Sequence, residues 1–192
     1  MLELIKKIRE RTGAGMVAIK KAVDEAGGDE EKAIEILRKL GQSKAAKKAD
    51  REAKEGVVAS YVHSNNRVAT LVKLLCETDF VARNEEFQQL GKDIAMHVTA
   101  MNPKFIKPED VSDEIVEKEK EIWKEQLKNE NKPAEMIEKI MIGKEKKFRE
   151  ESALLTQPFV KNPEVTVGEL IVEKIGKIGE NIQVGEISRL EL

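Results

Sequence analysis

VATLVKLLCETDFVARN (68–84) changes character halfway along. Its first nine residues, VATLVKLLC, form an apolar, partly β-branched run of strand length, which reads as a buried strand. The next residues place an acid and a large aromatic, Asp79 and Phe80, at the turn into a helical segment. A turn mounted on a strand end sits on a rigid platform and can present a side chain without its backbone collapsing. Residue types alone give a plain reading: Thr78 or Asp79 caps the next helix, and Phe80 is a core residue covering the strand end.

Upstream, VVASYVHS (57–64) is a second β-branched run, joined to the first around Asn65–Asn66, residues that tolerate the positive φ of a tight turn. Downstream, Asn84 is placed to cap a long helix in which Phe87, Leu90, Ile94, Val98 and Met101 recur at spacings of three and four, so one face is buried. Pro103 and Pro108 end it. Two highly charged helices follow. The first spans Asp113 to Lys128 with Ile115, Val116, Ile122, Trp123 and Leu127; the second starts at Pro133 and carries Met136, Ile137, Ile140, Met141 and Phe148. Narrow apolar stripes and a polar connection at 129–132 predict an antiparallel helical hairpin over 113–149.

Thr166 to Glu169 is a T-x-x-E capping box ahead of a short helix with Leu170, Ile171 and Ile175. In the terminal ENIQVGEISRLEL, Ile182 and Val184 alternate and Leu190 and Leu192 keep their parity, while Gly185 and the opposite-facing Ile187 suggest a bulge. A terminal strand joining the hairpin makes an antiparallel sheet backed by helices, an α+β core over residues 56–192.

Residues 1–41 read as a separate bundle of three helices. Leu4, Ile5 and Ile8 give the first an apolar side and Gly13 stops it; Met16, Val17, Ala22 and Val23 are the inward candidates of the second, which ends at Gly27–Gly28. Asp29 caps the third, with Ala33, Ile34, Leu37 and Leu40 inward and Gly41 closing it. QSKAAKKADREAKE (42–55) holds no large apolar side chain and reads as a solvated helical or extended linker. Its lysines do not make a convincing nucleic-acid patch, because Asp50, Glu52 and Glu55 dilute them and no aromatic is interleaved for stacking.

Composition bounds the chemistry. With 34 basic against 36 acidic residues, there is no general electrostatic reason to bind nucleic acid or an anionic membrane. Aromatics are 4% of the chain, so the core rests on Ile, Leu, Val and Met. The single Cys76 lies in the apolar strand with nothing basic beside it in sequence, which describes a structural thiol. No phosphate-binding loop, dinucleotide glycine pattern or metal-ligand spacing is present, so the expectation is a protein without catalytic residues, cofactor or metal. MLELIKKIRERTG carries no signal-peptide core and no run approaches a membrane span, so the expected location is the cytoplasm. His97 lies three residues after Ile94 and seven after Leu90, which places it on or beside the buried helical face.

CETDFVARN (76–84) strongly resembles the TDFV signature of translation elongation factor Ts, and IRERTGAGMVAIKKAV (8–23) resembles the family's other signature. IAMHVTAMNPKFIKPEDV (94–111) and TQPFVKNPEVTVGELI (156–171) continue the match, so four blocks in order cover nearly the whole chain. The resemblance implies a ubiquitin-associated-type N-terminal bundle and a guanine-nucleotide exchange factor that binds the G domain of GDP-bound elongation factor Tu. It implies partner contacts at Thr78, Asp79, Phe80 and Val81, with Phe80 as an apolar wedge, and at Arg9, Met16 and Val17. Val17 stands where many relatives have a second methionine. KIGENI (177–182) would add Ile178 and Gly179, and the IAMHV histidine, His97, would contact the G domain from the surface. Longer members have two related core subdomains where this chain has room for one, which implies a homodimer across sheet surfaces. A reading of another class stays open: an adaptor whose N-terminal bundle binds peptides or ubiquitin-like partners.

Overall fold

Glycines in the left-handed region separate the first helices of the computed structural model, which describes residues 1–128 and 134–192. Helix α1 (Leu2–Thr12) ends at Gly13, φ 63°, whose N–H returns to the Arg9 carbonyl. Helix α2 (Met16–Glu25) gives way to Gly27 and Gly28, and Asp29 caps α3 (Glu30–Ala46) by accepting the Lys32 N–H at 3.0 Å. A small core of Ile5, Ile8, Ile19, Ala22, Val23, Ala33 and Leu37 joins the three. Met16 and Val17 are not inward: both are exposed, because Ile19, Ala22 and Val23 share the helix face that meets the bundle.

Gly41 does not close the third helix. Helix α3 runs through it to Ala46, packs against α8 (Val167–Ile178), and delivers Ala45 to the main core. Tertiary packing here outweighs the helix-weakening tendency of one glycine. A cleft of about 900 Å³ lies between the two helices, lined in part by Leu37, Leu40, Val172 and Ile175.

The main sheet has antiparallel order β1–β2–β5, formed by Glu55–Val62, Val68–Cys76 and Gln183–Glu191. Asn66 supplies the positive φ of the loop between the first two strands. On one face Val72, Leu74 and Cys76 pack with Phe87, Leu90, Ile94 and Val98 of α5 (Glu85–Met101). The helix lies so close to β1 that a Cβ on Gly91 would stand 2.8 Å from that of Ala59. Asn84 caps α5, accepting the Glu86 N–H at 2.8 Å. Met101, at the helix end, is exposed, since the helix outruns the buried surface there.

Strand β5 carries the expected bulge. Lys73 pairs with Glu186 and Leu74 with Val184, leaving Gly185 as the extra residue. The bulge reverses the parity of the strand, so Val184 and Ile187 both turn toward the core face. Beyond it Leu190 pairs with Ala69 on the other face, where Val58, Val62 and Leu71 are also exposed.

Helices α6 (Asp113–Lys128) and α7 (Ala134–Ser152) pack as the expected hairpin. Trp123 meets Phe148 edge-on at 5.8 Å between ring centroids, and Val116, Leu127 and Met141 are buried. Ile115, Ile122 and Met136 are exposed, so the stripes are only partly covered. Pro133 and the 129–132 connection lie outside the described residues. Arg149 ties the base, donating to the Val111 carbonyl and pairing with Asp113 at 2.7 Å. A short pair, β3 (Pro158–Phe159) and β4 (Asn162–Thr166), leads into α8 through the Thr166–Glu169 capping box.

Candidate functional site

Strand β2 ends at Cys76, and after Glu77 and Thr78 the chain enters the one-turn helix α4 (Asp79–Ala82). Thr78 is its N-cap, with an extended backbone and an Oγ1 that accepts the Val81 N–H at 3.4 Å. The cap reading of Thr78 therefore holds, and the core reading of Phe80 does not. Ala82 is the buried residue of α4 and Val81 packs against the core edge, which leaves Phe80 on the opposite side, 79% exposed. An exposed phenylalanine on a turn flanked by polar groups is an unusual investment of apolar surface. Asp79 beside it pairs with Arg83 at 2.9 Å.

The turn is fastened from a distant part of the chain. Glu180 Oε2 accepts the N–H groups of Glu77 and Thr78, each at 3.0 Å, and Oε1 accepts the Thr78 hydroxyl at 2.7 Å. In return Glu77 Oε1 accepts the Asn181 N–H at 2.7 Å, while its other oxygen pairs with Arg51 at 3.5 Å. Burial, with the nearby Glu180 charge, pushes the Cys76 thiol up to about 11. It stays protonated and donates to the Thr78 carbonyl at 3.2 Å.

The end of α8 gathers the other segments. Gly179, φ 93°, is its left-handed C-cap, and its carbonyl accepts a bond from the Lys48 ammonium. Asn181 Nδ2 donates to the Ala49 and Arg51 carbonyls, at 3.3 and 2.7 Å. Lys177 lies against Gly13 in the α1–α2 turn and pairs, like Lys174, with Glu86 in the first turn of α5. These bonds to Lys177 and Lys174 hold the Glu86 carboxyl below its usual range. Ile178 is half-buried, Gly179 is exposed, and Arg9, Met16 and Val17 are exposed on the bundle. The structure thus joins Glu180 and Asn181, the residues that follow Ile178 and Gly179, to Glu77 and Thr78 at the start of the turn.

His97 is not with them. It is fully buried, with Nδ1 accepting the Val160 N–H at 3.2 Å and Nε2 3.0 Å from Gln157 Oε1. A surface role for this residue is ruled out by its position, on the α5 face against the β3–β4 segment. Its spacing from Leu90 and Ile94 already pointed inward. Glu180, in contrast, escaped the sequence reading. It stands inside the KIGENI stretch, but a carboxylate that serves a turn 102 residues earlier leaves no local signal.

Among the described residues no group of three or more His, Cys, Asp and Glu side chains could hold a metal ion. No described helix is long and apolar enough to cross a membrane. A family model described as elongation factor TS matches residues 3–192. The elongation factor Ts of Thermosipho melanesiensis is 59% identical, over 95% of this chain and 93% of its own length. Its counterparts in Thermodesulfovibrio yellowstonii and Fervidobacterium nodosum are 54% and 53% identical, each over 99% of this chain and over 94% and 96% of their own lengths.

Proposed function

This chain belongs to the elongation factor Ts family, and from that premise we propose that it is a cytoplasmic guanine-nucleotide exchange factor acting on elongation factor Tu. It works by binding and not by covalent chemistry. The Asp79–Phe80 turn enters the G domain of the GDP-bound partner, and the Phe80 ring fills an apolar gap there. Val81 and Thr78 flank that contact, Arg9, Met16 and Val17 make a second from the bundle, and Ile178 and Gly179 a third. His97 supports the α5 surface from within and is not a contact.

Mg²⁺ screens the charge of the β-phosphate, so a wedge that displaces the elements around ion and phosphates removes much of the affinity for GDP. Linkage makes the effect reciprocal: factor and nucleotide weaken each other by the same ratio. The factor is therefore not consumed, and free GTP and GDP set the direction of exchange. The observation that carries this reading is the exposure of Phe80 on a turn that the rest of the chain holds in place.

Residues 1–41 serve as a docking module, residues 42–55 connect them, and residues 56–192 form the exchange and dimerisation core. The exposed sheet face with Val58, Val62, Leu71 and Leu190 is the surface that a second copy covers. An open apolar sheet face of this kind favours association. The deciding experiment mixes the protein with elongation factor Tu carrying a fluorescent GDP. Accelerated release supports exchange; unchanged release favours an adaptor that uses the N-terminal bundle alone.

A further inference from the structure

We propose that Glu180 is a positioning residue for nucleotide release, holding the Asp79–Phe80 turn in the attitude in which Phe80 meets its partner. The inference rests on the exchange reading above and deepens it. Helix α4 has four residues and only two i→i+4 backbone bonds, Ala82 to Thr78 and Arg83 to Asp79, each of which involves a cap residue. A helix that short does not hold itself, because nucleation fixes several dihedrals for one hydrogen bond. Its direction must come from outside.

Ala82 and Val81 anchor the far side of the turn on the core and Gln88 Nε2 donates to the Ala82 carbonyl at 3.3 Å, while its entry from β2 is held by one carboxylate. Glu180 Oε2 receives two successive backbone N–H groups, Glu77 and Thr78, and so fixes the peptide planes that leave β2. Oε1 receives the Thr78 hydroxyl proton, which turns the oxygen's lone pairs toward the Val81 N–H that it caps. The bonds thus run as a relay from carboxylate to hydroxyl to the first turn of α4. Glu77 returns a bond to Asn181, so the two segments are clasped in both directions. Bonds to an ionised acceptor are roughly twice as strong as neutral ones. With the carboxylate removed, two N–H groups must find water and the hydroxyl turns freely, so the Phe80 ring samples many directions before each encounter. Preorganisation of a contact residue acts on the rate in just this way.

The test compares Glu180→Ala, Phe80→Ala and the double variant in stopped-flow release of fluorescent GDP from elongation factor Tu, at saturating factor. Glu180→Ala should lower the maximal release rate about tenfold, the effect of losing charge-assisted bonds. In the Phe80→Ala background the same change should cost less than about twofold, because Glu180 acts through that ring. An undiminished tenfold cost there would show a general structural role and overturn the proposal, as would a wild-type rate for Glu180→Ala. Hydrogen exchange supplies the second readout: the Glu77 and Thr78 amides should lose protection while those of Val72 and Leu74 keep it. If Glu180→Ala does not fold, Glu180→Gln decides. Its amide oxygen accepts bonds without the charge, so an intermediate rate is expected and a wild-type rate overturns the inference. Should the wild-type protein itself fail to speed release, the exchange reading falls, while the amide protection still reports whether Glu180 holds the turn.

Discussion

His97 Nε2 lies 3.0 Å from Gln157 Oε1 inside the protein, joining α5 to the segment that leads into β3. Because Nδ1 accepts the Val160 N–H, the ring proton sits on Nε2 and the imidazole is neutral. Gln157 Nε2 continues the network, donating to the Glu151 carbonyl at 2.8 Å.

A pH dependence follows with a definite sign. Burial holds the His97 pKa below its ordinary 6.5, although the Gln157 bond opposes the shift. The unfolded chain takes up a proton near that ordinary value while the folded protein resists it. The contribution of His97 is therefore complete above about 6.5 and is lost as pH falls from there through the depressed folded value. Urea unfolding at pH 7.5 and 5.5 should show wild type losing more stability than His97→Gln on acidification. Equal losses would assign the acid sensitivity elsewhere.

Cys76 should be chemically silent. A buried thiol raised to about 11 is almost wholly protonated at pH 8, and the thiolate is the reactive form. An alkylating reagent should leave the native protein unmodified under conditions that label the urea-unfolded chain completely. Rapid native labelling, read by mass spectrometry, would contradict the described packing.

Where the signal was local, the sequence was readable. Gly13, Asp29, Asn84 and the Thr166–Glu169 box act on their own helices and were identified from residue type and spacing. Gly185 was legible as a bulge because Ile187 breaks the alternation set by Val184. Gly41 reads as a helix stop in sequence, yet the last turns of α3 draw on α8, which lies far along the chain. Met16 and Val17 read as inward by residue type, but only the packed bundle shows which helix face is covered. Phe80 reads as core by residue type, and its exposure follows from α4 spending Ala82 on the core. Glu180 was invisible for the same reason as the α3 extension: its partners are remote in sequence.

Dimerisation through the open sheet face gives a sharp expectation. Light scattering at micromolar concentration should report twice the mass of one chain. Leu71, 51% exposed at the centre of that face, should become disruptive as Leu71→Glu, giving a monomer with an unchanged fold. On a face that stays open to water, the same substitution would cost no more than about 0.5 kcal/mol and change no mass. A monomeric wild type with full exchange activity would show that one copy suffices.

Removal of residues 1–41 tests the docking role of the bundle. The truncated chain retains Ala45, which belongs to the main core, and so should keep a cooperative unfolding transition. Its half-saturating concentration for GDP release should rise by about tenfold or more, the loss of roughly 1.4 kcal/mol of contact energy. Undiminished activity in the truncated chain would leave the bundle without a part in the exchange reaction.

Phe80 and Phe87 offer a controlled comparison, because they lie seven residues apart and one is 79% exposed while the other is fully buried. Phe87→Ala opens a cavity beneath the sheet and should cost about 3–5 kcal/mol of stability. Phe80→Ala removes a ring from water and should change stability by about 0.5 kcal/mol or less. The kinetic effects should run the other way. Filling an apolar gap with a phenyl ring contributes roughly 1.5–3 kcal/mol. If that contact forms mainly in the state that releases nucleotide, Phe80→Ala slows GDP release about ten- to a hundredfold. Phe87→Ala, measured at a temperature where it remains folded, should keep most of its exchange rate. Thermal unfolding and stopped-flow release on the two variants therefore give opposite patterns. A large drop in melting temperature for Phe80→Ala, with normal release by the folded fraction, would return that ring to a structural role and remove the wedge from the mechanism.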